Sequence, residues 1–510
     1  MIMSRTKNSL NNIKTGMIVQ VLNKILAFII RAVFIKCLSS EYLGINGLFT
    51  NILTMLSFTE LGIGTAIIYS MYKPIANDDK EKIKSLMLLY KKCYYSIALI
   101  VFIGGICVIP FMGWIIKEPP QIQENIIIIY LLFVFNSASS YLFSYKKAII
   151  IAYQKQSVIN KVDSVFYIIK CIVEIMVLII FKNYLIYLII NILLPFFENI
   201  FLIKKANKMY PFILEKNVKK LDEKETKDIF QNVKSLIIYK FGNVILNGTD
   251  NILISAMVNV TTVGLCSNYT LIIQAIKSIC NMILDGITAS VGNLNAEDNI
   301  EKKEKVFLEL TFLNYIAYSI ITIAFVGCIN IVVELWLGKK YVLEQSISIA
   351  LALCLFIEGI RLPGYIYRTT MGLFEKGKIS PIIASISNIF FSIILCKKFG
   401  VVGIFCGTSL AQLISYFWID PYIVYKFGLE KNIREYMKKL LRYCFIYIVS
   451  LILVIKILKF ITFELNLLLK LIIFGIISVG VPMIINCLFF YNSDEEKMLR
   501  LRLKSIFIKR

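Results

Sequence analysis

The sequence predicts an all-α polytopic membrane protein of about fourteen transmembrane helices: two six-helix bundles related by a parallel repeat, plus two C-terminal helices. Three observations predict it. The 510 residues are 58% hydrophobic with a mean hydropathy of +0.74, and the apolar residues fall in runs of about twenty, the length that crosses a ~30 Å hydrocarbon core. Lys and Arg gather in alternate connections between the runs, as the positive-inside rule requires. One run and its charged exit loop recur about 220 residues later.

In chain order the runs are 15–38, 43–72, 88–112, 123–145, 158–181, 184–204, 235–258, 262–290, 306–330, 344–371, 378–397, 400–425, 441–460 and 466–490. Met1 to Lys14 is polar and basic, and the run after it is too long for a signal peptide and has no small-residue cleavage site. No removable leader is expected. The second run carries one carboxylate, Glu60, beside Gly62 and Gly64, and stops at Lys73-Pro74 before a charged loop. With the N-terminus inside, the inner connections hold Lys73, Lys80, Lys82 and Lys84, then Lys146, Lys147 and Lys155, and later Lys302, Lys303 and Lys305. The outer ones are poorer, with Lys36, Lys117 and Lys182 among the few. Both termini are therefore expected in the cytoplasm.

The one sizeable loop, 204–234, follows six runs and reads as a linker with an amphipathic surface helix. The expected organisation is an N-terminal bundle over 1–204, a linker over 205–234, a C-terminal bundle over 235–425, two extra helices over 426–490 and a basic tail over 491–510. Gly44 to Lys82 matches Gly264 to Lys302, GINGLFTNI against GLCSNYTLI and NDDKEK against AEDNIEKKEK, in constant register. That is a parallel repeat of the kind that rocks about a cavity in transporters.

A charge at the centre of a membrane helix costs roughly 2.5–3.5 kcal/mol, so each needs a partner or a wet cavity. Span seven aligns Lys240, Asn243, Asn247 and Asp250 on one face, span eight Gln274, Lys277, Asn281 and Asp285, and span ten Glu358, Arg361, Tyr365 and Arg368. Span one has Lys24 and Arg31 on one side, and span five has Lys170 and Glu174 a turn apart. A shared hydrophilic interior is the expectation. Structural readings stand beside it. Lys170 with Glu174, and Glu358 with Arg361, can neutralise each other locally, while Lys240 and Arg368 lie near helix ends and can snorkel to the surface. Arg31 and Lys277 have no opposite charge at i±3 or i±4. Glu60 is either a partner for a cation such as Arg31 or a coupling-ion site. The candidate cationic set is Lys24, Arg31, Lys240, Lys277, Arg361 and Arg368; the candidate coupling or balancing set is Glu60, Glu174, Asp250, Asp285 and Glu358.

No other chemistry shows itself. Twelve cysteines are scattered singly and there is no histidine, so no metal set is expected. The net charge of +23 would suggest nucleic acid in a soluble protein, but here it marks topology and headgroups. No P-loop, dinucleotide fingerprint, nucleophile elbow or zincin motif is present. No cofactor is expected, and transport energy would come from gradients, Na+ or H+ among them, or from the substrate.

Glu41-Tyr42-Leu43-Gly44 leading into Leu48-Phe49, then Glu60-Leu61-Gly62-Ile63-Gly64 and Lys73-Pro74, after Ser4-Arg5-Thr6, resembles the polysaccharide (Wzx-type) flippases of the multidrug/oligosaccharidyl-lipid/polysaccharide (MOP) exporter superfamily. The resemblance covers the whole chain. It implies a flippase of the bacterial cytoplasmic membrane that moves undecaprenyl-pyrophosphate-linked repeat units by alternating access. It further implies membrane lipids, a polysaccharide polymerase and other assembly proteins as partners, and a cationic cavity suited to pyrophosphate. Spans thirteen and fourteen are expected to offer a groove for the prenyl tail. The rivals are a flippase of the peptidoglycan precursor lipid II, a cation-coupled multidrug exporter, and, from another class, a membrane glycan polymerase or ligase.

Overall fold

The computed structural model describes residues 22–60, 63–215, 218–223, 225–227, 229–230, 248–295, 299–373, 375–461, 466–491, 493 and 497. Side chains of 58, 59, 65, 285, 286 and 289 also lie outside the description. The chain is all-helical among these residues, and every expected run has a helix: α1 (22–37), α2 (Ser40–Leu56), α3 (Ile63–Ala76), α4 (Lys80–Val108), α5 (Ile126–Ser144), α6 (Lys147–Ala152), α7 (Gln156–Phe181), α8 (Tyr184–Met209), α9 (248–257), α10 (Val260–Asn295), α11 (Ile300–Leu337), α12 (Gln345–Ile360), α13 (Leu362–Thr370), α14 (Ser380–Ile414), α15 (Tyr416–Ile423), α16 (Arg434–Phe460) and α17 (Leu467–Phe490). Ten described helical stretches are long and apolar enough to cross a membrane on their own. One of them, Glu375–Leu429, holds two expected runs, because α14 doubles back at Gly400, whose φ of 57° suits glycine.

Helix starts are set by short polar side chains that accept an otherwise orphaned backbone N–H: Asp79 from Lys82, Asn125 from Ile127, Asn183 from Ile186, Asn299 from Lys302 and Asn466 from Leu468. Two expected spans are broken instead of continuous. Span two gives way at a short 3₁₀ turn, Ser57–Glu60, between α2 and α3. Span ten breaks at Arg361, where Pro363 lacks the N–H that would continue α12. Asn314 of α11 donates to the Gly359 carbonyl at 2.5 Å, satisfying a group that the break leaves free.

The chain divides into two compact units, Met1–Ser267 and Asn268–Arg510. The division falls beyond residue 235, where the C-terminal bundle was expected to open, since α9 and the first turns of α10 pack with the first unit. Its core joins Ile67 and Met71 of α3, Ile83, Leu86, Tyr90 and Ile97 of α4, Ile149 and Ile150 of α6, and Leu202 and Ala206 of α8. Ile229 of the linker packs on the same core, so the linker is part of this unit and not a free connection.

Within the first unit α2 crosses the start of α10 at glycines. A Cβ on Gly44 would collide with the Val260 carbonyl, and one on Gly264 would collide with the Ser40 carbonyl. Val260 and Gly264 stand 220 residues after Ser40 and Gly44. The same close contact is thus made twice, which fits the parallel repeat read from the sequence.

In the second unit α11 is the central helix, packed by α12, α16 and α17. An aromatic stack joins them: Tyr315 lies on Tyr443 at 4.6 Å, Phe356 on Tyr447 at 3.7 Å, and Phe312 meets Phe490 at 4.9 Å. The Tyr315 hydroxyl donates to Asn486 at 2.7 Å. The last two helices, expected to lie outside the repeat, therefore close the core of this unit. Large apolar side chains such as Ile180, Phe445, Ile476 and Leu488 remain exposed, as lipid-facing surfaces require.

Candidate functional site

The second unit gathers its intramembrane charges around the break between α12 and α13. Arg361 occupies the break itself, and its guanidinium lies over the Tyr416 ring at 4.2 Å. Two turns further on, Arg368 faces Asp420 of α15, with Nε and Oδ1 3.3 Å apart and side-chain exposures of 1% and 0%. Gly364 lets α13 approach α15 closely, since an added Cβ would lie 3.2 Å from Pro421. Gly377 does the same for the guanidinium of Arg368, which an added Cβ would strike. Asp420 interacts with Arg361 as well as Arg368. One carboxylate thus faces two guanidinium groups.

Lys277 of α10 is ion-paired with Glu358 of α12. This corrects two expectations. Glu358 does not neutralise Arg361, because the break turns Arg361 toward α15; and Lys277, which lacks a partner on its own helix, finds one on another. The expectation that Arg368 snorkels is also overturned, for it is buried against Asp420. Among the described side chains of the two clusters, Lys277, Arg361 and Arg368 oppose Glu358 and Asp420, one more cation than carboxylates. Lys277 and Arg368 each have an ion pair, so the excess falls to Arg361, whose buried Nε meets no hydrogen-bond acceptor among the described residues.

The first unit holds its own candidates apart from this cluster. Arg31 donates from Nη1 to Ser267 at 2.8 Å, and Lys24 lies on the same helix, part-exposed. Glu60, at the break of span two, accepts from the Tyr94 hydroxyl at 2.8 Å, and Tyr90 donates to Tyr94 at 3.1 Å. The glycine at 64 makes room for both hydroxyls, which an added Cβ would approach to 2.7 and 2.9 Å. So Glu60 is held by tyrosines and not by Arg31. Glu174 is buried beside Lys170 at 3.6 Å, a local pair as one of the readings had it. Asp250 lies part-buried in α9. Lys240, and the side chain of Asp285, lie outside the described residues. All twelve cysteines are free, and no group of three or more metal-ligating side chains occurs among the described residues.

Asp420 and Tyr416 were missed in the sequence. Their signal was present: Asp420 is a lone carboxylate in an apolar aromatic run, the same ground on which Glu60 was chosen.

A family model described as "Polysaccharide biosynthesis protein" matches residues 9–288, more than half of the chain. The chain belongs to this family. Among solved structures, the lipid II flippase MurJ in an inward closed conformation matches with a TM-score of 0.66 and 15% identity, over 93% of this chain and 98% of that one. An inward-facing multidrug resistance MATE transporter of the MOP superfamily matches with a TM-score of 0.61 and 15% identity, over 80% of this chain and 98% of that one. At such identity the likeness speaks for the fold. No curated protein matches. This polysaccharide biosynthesis protein thus has the fold of the MurJ flippase and of the MOP-superfamily MATE transporter, the fold that the motifs of its first two spans implied.

Proposed function

We propose that the protein flips undecaprenyl-pyrophosphate-linked oligosaccharide repeat units across the bacterial cytoplasmic membrane for surface polysaccharide synthesis, with both termini in the cytoplasm. The observation that carries this reading is the cation excess at Arg361. A guanidinium left over from a buried charge cluster, stacked on a tyrosine and holding a donor without an acceptor, is built to receive an anion. A diphosphate supplies one and can engage a guanidinium through two parallel hydrogen bonds. Arg31 and Lys24 in the first unit are further candidates for the same headgroup, and Glu60 is the candidate for H+ or Na+ coupling. The family points to the glycan, and the lipid anchor lets the prenyl tail stay in the bilayer while the head crosses. Transport, not bond-making, is the whole task assigned to the chain.

The likeness to MurJ favours lipid II as a second reading, since it too is a glycan on a prenyl diphosphate. One experiment separates the readings. The gene is deleted, lipid-linked oligosaccharides are extracted and identified by mass spectrometry, and an externally added hydrolase probes which leaflet holds them. Accumulation of a single, unreachable polysaccharide repeat unit is expected. Unreachable lipid II instead would establish the second reading, a reachable unit would place the protein after translocation as a polymerase or ligase, and no accumulation would point to drug export.

A further inference from the structure

The first unit contains a cavity of about 430 Å³ that the cation cluster does not use. It lies between the end of α3, the loop after it, the start of α4 and the linker. Its size falls within the range of small-ligand sites. The apolar part of the wall is Pro74, Leu86, Leu221 and Ile229.

The polar part separates into spent and unspent groups. Asp79 is engaged as the cap of α4, accepting from the Lys82 N–H at 2.9 Å. Lys82 and Glu225 are engaged with each other. Ser70 donates back to Ala66 at 2.9 Å. Lys73 and Asn77, one helical turn apart and therefore on one face, are exposed and form no side-chain bond or ion pair with any described residue. The wall therefore offers one free ammonium and one free amide over an apolar floor.

Two further observations say what meets them. Tyr69 and Tyr72, on the turn just before Lys73, are both exposed, Tyr69 at 72%, and pack edge to face at 6.2 Å. Exposed tyrosines at the end of a membrane helix mark the headgroup level. The linker that closes the cavity is held down by charge: Lys84, with a side chain only 3% exposed, pairs with Glu81 at 2.5 Å and with Glu215 at 2.7 Å, and Ser85 donates to the Lys219 carbonyl at 2.6 Å. The cavity exists because the linker is clasped.

We infer that this cavity is a binding site for an anionic phospholipid, whose phosphate is taken by Lys73 and Asn77 and whose first methylenes lie on Leu86, Leu221 and Ile229, so that the bound lipid holds the linker clasped to α4. Lipid charge then acts on the segment that joins the two halves of the chain. This site is separate from the Arg361 cluster and does not depend on the flippase reading.

The test is hydrogen exchange of the full-length protein in nanodiscs of phosphatidylcholine alone or mixed with phosphatidylglycerol, read on peptides covering 218–230. Exchange there is expected to slow about fivefold with phosphatidylglycerol, the effect of one lysine near an anionic surface. The slowing disappears in Lys73→Ala/Asn77→Ala, and in Leu221→Trp, which fills the floor. Equal exchange in both lipids, or slowing that survives both variants, overturns the inference. Slowing by glycerol 1-phosphate in phosphatidylcholine discs overturns the lipid as its source and leaves a site for a free phosphate. Lys73 and Asn77 are exposed, so their variant keeps its fold and the readout stays interpretable even where Leu221→Trp does not.

Discussion

Replacing Asp420 by Asn removes the carboxylate that pairs with Arg368 and also faces Arg361. At 3.3 Å, two unit charges with an effective dielectric of about 20 attract by about 5 kcal/mol. Leaving one member of a buried pair uncompensated costs about 3–5 kcal/mol by experience with such pairs. The two figures agree because Arg368 cannot reach water from its 1% exposed position. In a unit of this size each kcal/mol lowers the melting temperature by about 2–4 °C, so Asp420→Asn is expected to melt about 6–20 °C below wild type. A thiol-reactive fluorophore reads this on detergent-purified protein once the exposed Cys107 and Cys487 are replaced by Ser, because the buried thiols of Cys266 and Cys396, in no disulfide, become reactive on unfolding. The apolar pair Arg368→Met/Asp420→Leu is expected to recover most of the loss, since it buries no orphaned charge. A melt of Asp420→Asn within about 2 °C of wild type would refute the argument, because it would mean that Arg368 is hydrated or paired elsewhere.

Arg361→Ala is expected to abolish glycan export while melting like wild type, and Arg361→Lys to retain part of it; normal export by the alanine variant removes the anion role. Gly44→Val and Gly264→Val, which drive a side chain into Val260 and Ser40, should each cost about 1–3 kcal/mol in the same melt, with Gly113→Val, which meets open space, as the neutral control. Tyr94→Phe takes a hydrogen bond from the Glu60 carboxylate and is expected to cost about 1.5–3 kcal/mol, whereas an unchanged melt would show that Glu60 is satisfied by water. Truncation after residue 430 strips the aromatic cover from α11 and is expected to yield no folded membrane protein by size-exclusion chromatography; a monodisperse truncated protein would restore the idea that α16 and α17 serve only as a groove for the lipid tail.

Hydrophobic run length was enough to place a described helix in every expected span, because the bilayer sets a minimum length for crossing it, but it passed over the short helix α6 between two spans. It did not show where helices break. At Glu60 and Arg361 the backbone yields for reasons that periodicity does not record, although Pro363 was a legible cause of the second break. The charge stripes were legible in the sequence, but their pairing was misread. A helical wheel sees partners at i±3 and i±4, but Lys277 and Glu358 belong to different helices, as do Arg368 and Asp420. Lys170 with Glu174 was readable because both are on one turn of one helix. The clasp on α4 was hidden for the same reason, since Glu215 and Glu225 reach Lys84 and Lys82 from outside that helix.

The doubled glycine contact has the symmetry of a dimer interface held within one chain. A contact that an element makes with its own copy is what an ancestral chain of half the length would have made with a second molecule of itself. Gly44 and Gly264 remain glycine, because backbone passes each of them at collision distance for any side chain. Beside them the copies have parted: Arg31 reaches Ser267, while Asn251, 220 residues after Arg31, lies against Gly47, 220 residues before Ser267. The same niche is filled twice with different chemistry. A symmetric dimer is obliged to bring every charge in pairs; a single chain with an internal repeat can place a guanidinium at one crossing and an amide at its equivalent.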